Sequence, residues 1–135
     1  MGTWHIERDY GSACLILRFK ERLSRQDCVR ATKTLLEARV GAGPHSVLVD
    51  VRNAVCGLGV GDIYAVPALW EHGHVHHGSA LALLVTAASA HKRDVEFFET
   101  TCRNRGWNVR AFDDEAAALA WLASQVRSQD QSALG

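Results

Sequence analysis

Neither sign of charge predominates in this chain: fifteen basic residues balance fifteen acidic ones. That balance argues against a broad nucleic-acid or anionic-membrane surface and leaves room only for a local basic patch. Long apolar runs are absent too. The longest, such as Ala80-Leu81-Ala82-Leu83-Leu84-Val85, are strand-sized, so no transmembrane segment is expected. The start, M-G-T-W-H-I-E, lacks a basic-then-apolar leader, which points to a cytoplasmic protein. Cys14, Cys28, Cys56 and Cys102 form no C-x-x-C pair. Buried thiols in a reducing compartment are the expectation, with no disulfide or metal needed to hold the fold. No repeat and no linker interrupts the chain.

What is present is an ordinary globular composition, 47% apolar and 22% charged, over 135 residues. That length suits one domain, expected over residues 1–126, followed by a frayed tail at 127–135. The organising stretch runs from Ser46 to Asp62. It begins as an apolar β-branched run, Val47-Leu48-Val49-Asp50-Val51, the mark of a strand covered on both faces. A glycine-rich loop with Gly57, Gly59 and Gly61 follows, and an amphipathic helix opens behind Asp62. A buried strand entering a helix through such a loop places the loop at the carboxyl edge of a sheet, where open α/β folds usually carry their sites.

The remaining elements follow from periodicity. Residues 3–9 alternate, with Trp4 and Ile6 on one face and His5 and Glu7 on the other. Ala13 to Leu17 reads as a more buried hairpin partner. Ser24-Arg25-Gln26-Asp27 resembles a capping box, and Cys28, Thr32, Leu35, Leu36 and Val40 then recur at helical spacing. The second helix is expected from about Asp62 to His72, with Pro67 kinking it or loosening its first turn. Leu69 and Trp70 fit either its core stripe or a homodimer patch. Ala80 to Thr86 is a buried strand. A third helix runs from near Ser89 to Gly106, with His91, Val95, Phe98 and Cys102 inward. Trp107 to Phe112 is the last strand. Asp113 or Asp114 caps the final helix, whose expected packing side is Ala116, Leu119, Ala120, Leu122, Ala123 and Val126. The order β-β-α-β-α-β-α-β-α calls for a mixed, mostly parallel five-stranded sheet with four helices.

Three stretches carry a resemblance. They are L-V-D-V-R-N at Leu48 to Asn53, the helix with Phe97-Phe98 that ends N-R-G-W at Asn104 to Trp107, and V-R-A-F-D-D-E-A-A-A-L-A-W-L at Val109 to Leu122. Together they resemble the STAS superfamily, in particular its SpoIIAA-like branch of small standalone proteins, over about residues 3–123. The resemblance implies a STAS-like α/β fold and a role in signalling or in binding lipid-like ligands. Anti-sigma-factor antagonists of the superfamily carry Asp-Ser-Ser-Gly-Leu-Gly before the second helix, with a phosphorylated serine. This chain reads Ala54-Val55-Cys56-Gly57-Leu58-Gly59, with Cys56 in the place of that serine. A thiol is no substrate for an ordinary serine kinase, so the phosphoserine switch is not carried over.

The loop from Asn53 to Gly61 offers helix-terminal amides to an anion or a docking partner. It is neither G-x-G-x-x-G nor a P-loop, and glycines that simply permit a tight turn are the plainer reading. Arg52, Asn53, Cys56, Gly57, Gly59 and Asp62 are the candidate ligand- or partner-binding residues. Cys56 could gain thiolate character from Arg52 and the helix terminus, but a small apolar filler is the simpler assignment. Asp50 and Arg52 alternate along the central strand, facing either a pocket or each other's edge. His72, His74, His76 and His77 are the candidate metal ligands, since imidazoles suit zinc, nickel and copper. No Cys or Asp flanks their connector, so a solvated loop is the alternative.

No catalytic constellation and no cofactor motif stands out. The expected function is therefore a non-catalytic STAS-like module recognising a protein partner or a small apolar or anionic ligand. The rival is a metal-binding or metal-responsive protein built on the histidine run.

Overall fold

The first two strands owe their pairing to alternation. In β1 (Trp4–Asp9) Trp4 and Ile6 turn inward, and their partners on β2 (Cys14–Leu23) are Phe19 and Leu17, in antiparallel register. The computed structural model describes residues 4–9, 14–38, 45–56, 60–73, 75, 78–86 and 92–134. After β2 come α1 (Arg25–Ala38), β3 (Ser46–Cys56), α2 (Val60–His72), β4 (Ala80–Leu84), α3 (Lys92–Asn104), β5 (Asn108–Phe112) and α4 (Glu115–Leu134). The five strands lie in sequence order in one sheet. β2 to β5 are parallel and β1 is antiparallel at the edge. This is the mixed five-stranded α/β architecture expected from the sequence.

The two faces of the sheet are covered unequally. On one face α1, α2 and α3 bury a core that includes Leu17, Phe19, Val51, Val66, Trp70, Val95, Cys102 and Val109. Trp70 packs edge-on against both Phe98 and Trp107, at ring separations of 5.9 and 5.3 Å. It belongs to the core and not to an exposed dimer patch. On the other face α4 packs its fully buried Ala118 and Leu122 over Cys14, Ile16, Leu48, Ala82 and Leu84. Full burial of a leucine such as Leu122 contributes about 1.5–3 kcal/mol.

Local chemistry ends the helices where the chain must turn. Ser24 Oγ accepts the Asp27 amide at 3.1 Å, and Asp114 Oδ2 accepts that of Ala117 at 2.9 Å. Each side chain satisfies an orphan donor at a helix start, worth about 1 kcal/mol. α3 stops at Gly106, whose φ of 86° lets the Trp107 amide donate back to Cys102 O at 3.0 Å. Gly73 ends α2 for a different reason. A Cβ there would come within 2.8 Å of Leu36 Cδ1, so glycine lets α2 close against α1.

Several boundaries differ from the sequence reading. β2 runs on to Leu23, six residues past the expected Leu17, and β3 continues through Arg52 and Asn53 to Cys56. Both extensions carry alternating charges and polar groups, which imitate loop composition. α2 is one helix with Pro67 fully buried inside it. In α4 Leu119 and Leu122 pack on the sheet as expected, but the alanines differ. Ala118 and Leu122 are buried, whereas Ala116 and Ala120 face solvent. Alanines on both sides of an amphipathic helix leave its phase open until the sheet selects it. The helix continues through 127–134, the stretch for which the sequence suggests a frayed tail. His91 lies outside the described residues.

Candidate functional site

The carboxyl end of the sheet carries a dense ionic cluster. Asp50, whose side chain is 4% exposed, accepts from Arg18 Nη1 at 2.7 Å on the neighbouring strand. It also accepts from Arg52 through Nε, Nη2 and the backbone amide, at 3.0, 3.1 and 3.0 Å. Glu115, in the first turn of α4, receives Arg18 Nη1 at 2.8 Å and Arg52 Nη2 at 3.0 Å. Glu7 of β1 receives Arg18 Nε at 2.6 Å. Three carboxylates and two guanidiniums therefore join β1, β2, β3 and the start of α4, with one negative charge in excess.

The backbone explains the convergence. Between Arg18 and Lys20 the register with β3 slips, so that Arg18 pairs with Asp50 but Lys20 with Asn53. The extra residue on β3 is a β-bulge, which bends the strand and re-aims its side chains. Asp50 Oδ1 accepts the Arg52 amide across that bulge.

Burial acts to raise the Asp50 pKa, but the Arg52 and Arg18 hydrogen bonds outweigh it and hold the carboxyl below its ordinary value. The hydrogen bond from Arg18 holds Glu7 low as well. Glu115 raises the Arg18 guanidinium and Asp50 raises that of Arg52, so both stay charged. Elsewhere, burial pushes the Cys102 thiol up to about 12, which leaves it protonated and inert.

Beyond this cluster β2 and β3 project as a two-stranded ribbon. Among the described residues, β4 pairs with β3 as far as Asp50–Leu84 and β1 with β2 as far as Phe19. On the ribbon Lys20 sits beside Asn53 and Arg22 beside Val55. All four are exposed, and Val55, at 60%, is the most exposed of the large apolar residues described. Glu21, between the two cations, has a φ of 62°, rare for a side chain other than glycine, asparagine or aspartate.

The predicted site residues divide accordingly. Arg52 lies on β3 as expected and is held by Asp50 and Glu115, while Asn53, expected at the start of the loop, also belongs to β3. Cys56 closes β3 in register with Leu23, and Asp62 falls in the first turn of α2. Gly57 and Gly59 lie outside the described residues. So do His74, His76 and His77, while His72 is exposed at the end of α2. Among the described residues no group of three or more His, Cys, Asp or Glu side chains converges on a metal position. Sequence reasoning missed Arg18, Glu115, Lys20, Arg22 and Val55. The alternation of Arg18, Lys20 and Arg22 was the available signal for a longer β2.

Two cavities complete the picture. One, of about 350 Å³, lies beside the ends of β4 and β5 and is lined partly by Glu96, Glu99 and Asp113. Glu99 accepts the Ala111 amide on the outer edge of β5 at 2.5 Å, while Arg103 donates to Val109 O on the same strand at 2.9 Å. Those side chains occupy groups that an edge strand would otherwise offer to another chain. The other cavity is an apolar recess at the amino end of the sheet, between α1, α2 and the starts of β2 to β5.

Two solved structures share the architecture. An uncharacterized protein of the DUF3478 family with a SpoIIAA-like fold, from Shewanella loihica PV-4, aligns over 88% of this chain and 91% of its own, at 21% identity and a TM-score of 0.57. An anti-sigma-factor antagonist (STAS) domain protein from Planctomyces limnophilus aligns over 90% of this chain and 98% of its own, at 20% identity and a TM-score of 0.61. At such identities the likeness establishes a STAS/SpoIIAA-like fold. No protein-family model and no curated protein matches the sequence. No helix among the described residues is long and apolar enough to cross a membrane.

Proposed function

We propose that this STAS-like chain is a non-catalytic binding module that recognises a protein partner at the carboxyl end of its sheet. The surface comprises the β2–β3 ribbon and the first turn of α2, and so takes in Asn53, Cys56, Gly57, Gly59 and Asp62, with Arg52 behind it. The observation that carries this reading is the ribbon itself. Two strands extend past their neighbours and expose Val55 between Lys20, Arg22 and Asn53. An exposed apolar side chain rimmed by polar groups is the usual make-up of a protein contact. The two cations favour an acidic partner surface.

Arg18 and Arg52 do not serve as a free anion trap, because their donors are directed at Asp50, Glu7 and Glu115. They brace the ribbon from below. The likeness to an anti-sigma-factor antagonist domain protein supports a protein partner over a small anion. Cys56 stands in the alignment position of the phosphoserine, so recognition here works without that switch.

A photo-crosslinking residue placed at Val55 in cells tests the proposal. One discrete protein adduct is expected, absent when the residue is placed at Glu37 and lost in the Lys20→Glu/Arg22→Glu variant. Equal adduct patterns at positions 55 and 37 would remove the ribbon as the docking surface.

A further inference from the structure

The apolar recess stands at the opposite end of the sheet from the ribbon and is independent of it. Its walls come from Leu35 and Leu36 of α1, Trp70 of α2, and Val47, Leu81 and Trp107 at the starts of the strands or just before them. Trp70 and Trp107 meet edge to face, which keeps both rings in place as a rigid wall. Among the described residues that line it, none is Asp, Glu, Lys or Arg. The polar groups are few and specific. Ser79 Oγ accepts the His45 amide at 2.9 Å and keeps its own hydrogen to donate. Thr32 Oγ1 already gives its hydrogen to Cys28 O at 2.7 Å, so it can only accept. His45 and Asn108, whose Nδ2 donates to Gln125 Oε1 at 2.8 Å, complete the polar lining.

From this arrangement we infer that the recess is a binding site for a small neutral molecule. The ligand is one apolar ring or branched chain that bears a single hydrogen-bond acceptor, received by the Ser79 hydroxyl. Size sets the first limit. The half-open space of about 60 Å³ admits on the order of four to six heavy atoms, at roughly 10–15 Å³ for each water-sized position. Charge sets the second. A carboxylate or ammonium would shed its hydration here without a counter-charge, a cost that excludes ions. The remaining features match ligand sites in general, which are concave, largely apolar and oriented by a few placed polar groups.

The test uses the full ¹⁵N-labelled chain and three probes of nearly equal size: cyclopentanone, methylcyclopentane and cyclopropanecarboxylate. Cyclopentanone is expected to shift the Trp70 and Trp107 indole N–H signals and the Ser79 and His45 amides saturably. Methylcyclopentane should bind about threefold to tenfold more weakly for want of the hydrogen bond, and the carboxylate should cause no saturable shift. Ser79→Ala should lower cyclopentanone to the methylcyclopentane level, and Val47→Phe should fill the recess and abolish both. If Val47→Phe does not fold, Ser79→Ala decides. The inference is overturned if no probe saturates, if the carboxylate binds as well as the ketone, or if Ser79→Ala leaves the preference for the ketone intact.

Discussion

At the carboxyl end of β2 and β3, Asp50 collects four hydrogen bonds from two arginines, whereas at the amino end of the same strands Leu15 and Val47 look into an apolar recess. The first region is rich in functional groups, yet those groups are spent on one another. The second has few polar groups, one of which, the Ser79 hydroxyl, still has a hydrogen to give. A cluster of charges bonded to one another is thus a weaker sign of a small-molecule site than an apolar concavity with a placed donor. The carboxyl-end rule for α/β sheets says where loops gather and where surfaces can be built. It does not say where space is left. Here it points to the ribbon and to the acid-lined cavity beside the ends of β4 and β5, while the apolar recess lies at the other end.

The comparison can be broken from either side. The largest effect is expected at the amino end: Trp70→Ala removes the ring shared by Phe98 and Trp107 and should cost about 3–5 kcal/mol, read as a lower urea midpoint. Next comes Asp50→Ala at the carboxyl end. It leaves two arginines facing each other, and because both are partly solvated the loss should be about 2–4 kcal/mol, toward the low side for breaking a buried pair.

A pH titration separates the two ends without a large change in packing. The folded pKa values of Asp50 and Glu7 are depressed, so their contribution is complete above the ordinary carboxylate range near about 4. It is lost as pH falls through the lower folded values. Acid unfolding monitored by circular dichroism should show this loss, and Asp50→Asn should flatten it. Trp70→Ala should leave the slope unchanged.

Smaller still is Ser24→Ala, which uncaps α1 just after β2 and should cost about 1 kcal/mol by the same urea measurement. Smallest is Lys20→Glu/Arg22→Glu, where solvated side chains predict a stability change within about 0.5 kcal/mol. A larger loss would mean that the ribbon's cations hold the fold and not a partner.

Legibility followed the range of the interactions. Alternation in Trp4 to Asp9, the β-branched run at Val47 to Val51 and the Ser24 cap are local signals, and each lies where it was expected. The ends of β2 and β3 were read short because Arg18 to Arg22 are polar enough to pass for a loop and Asn53 precedes a glycine-rich stretch. Their strand conformation comes from each other, through the register Lys20–Asn53 to Leu23–Cys56. In α4 Leu119 and Leu122 were read correctly, but Ala116 and Ala120 were placed inward in error because its alanines mark no unique face.

The ionic cluster could not be read at all, since Arg18 and Glu115 are 97 residues apart. The recess was invisible for the same reason, being walled by side chains from two helices and four strands.

By itself, then, the sequence determined the order of elements, their caps and the mixed sheet, because hydrophobic period and turn chemistry act within a few residues. Tertiary structure alone decided which arginine meets which carboxylate, which stripe of α4 is buried and where a cavity opens. Those outcomes depend on how distant surfaces meet when the helices close on the sheet, and no single stretch of chain encodes that meeting.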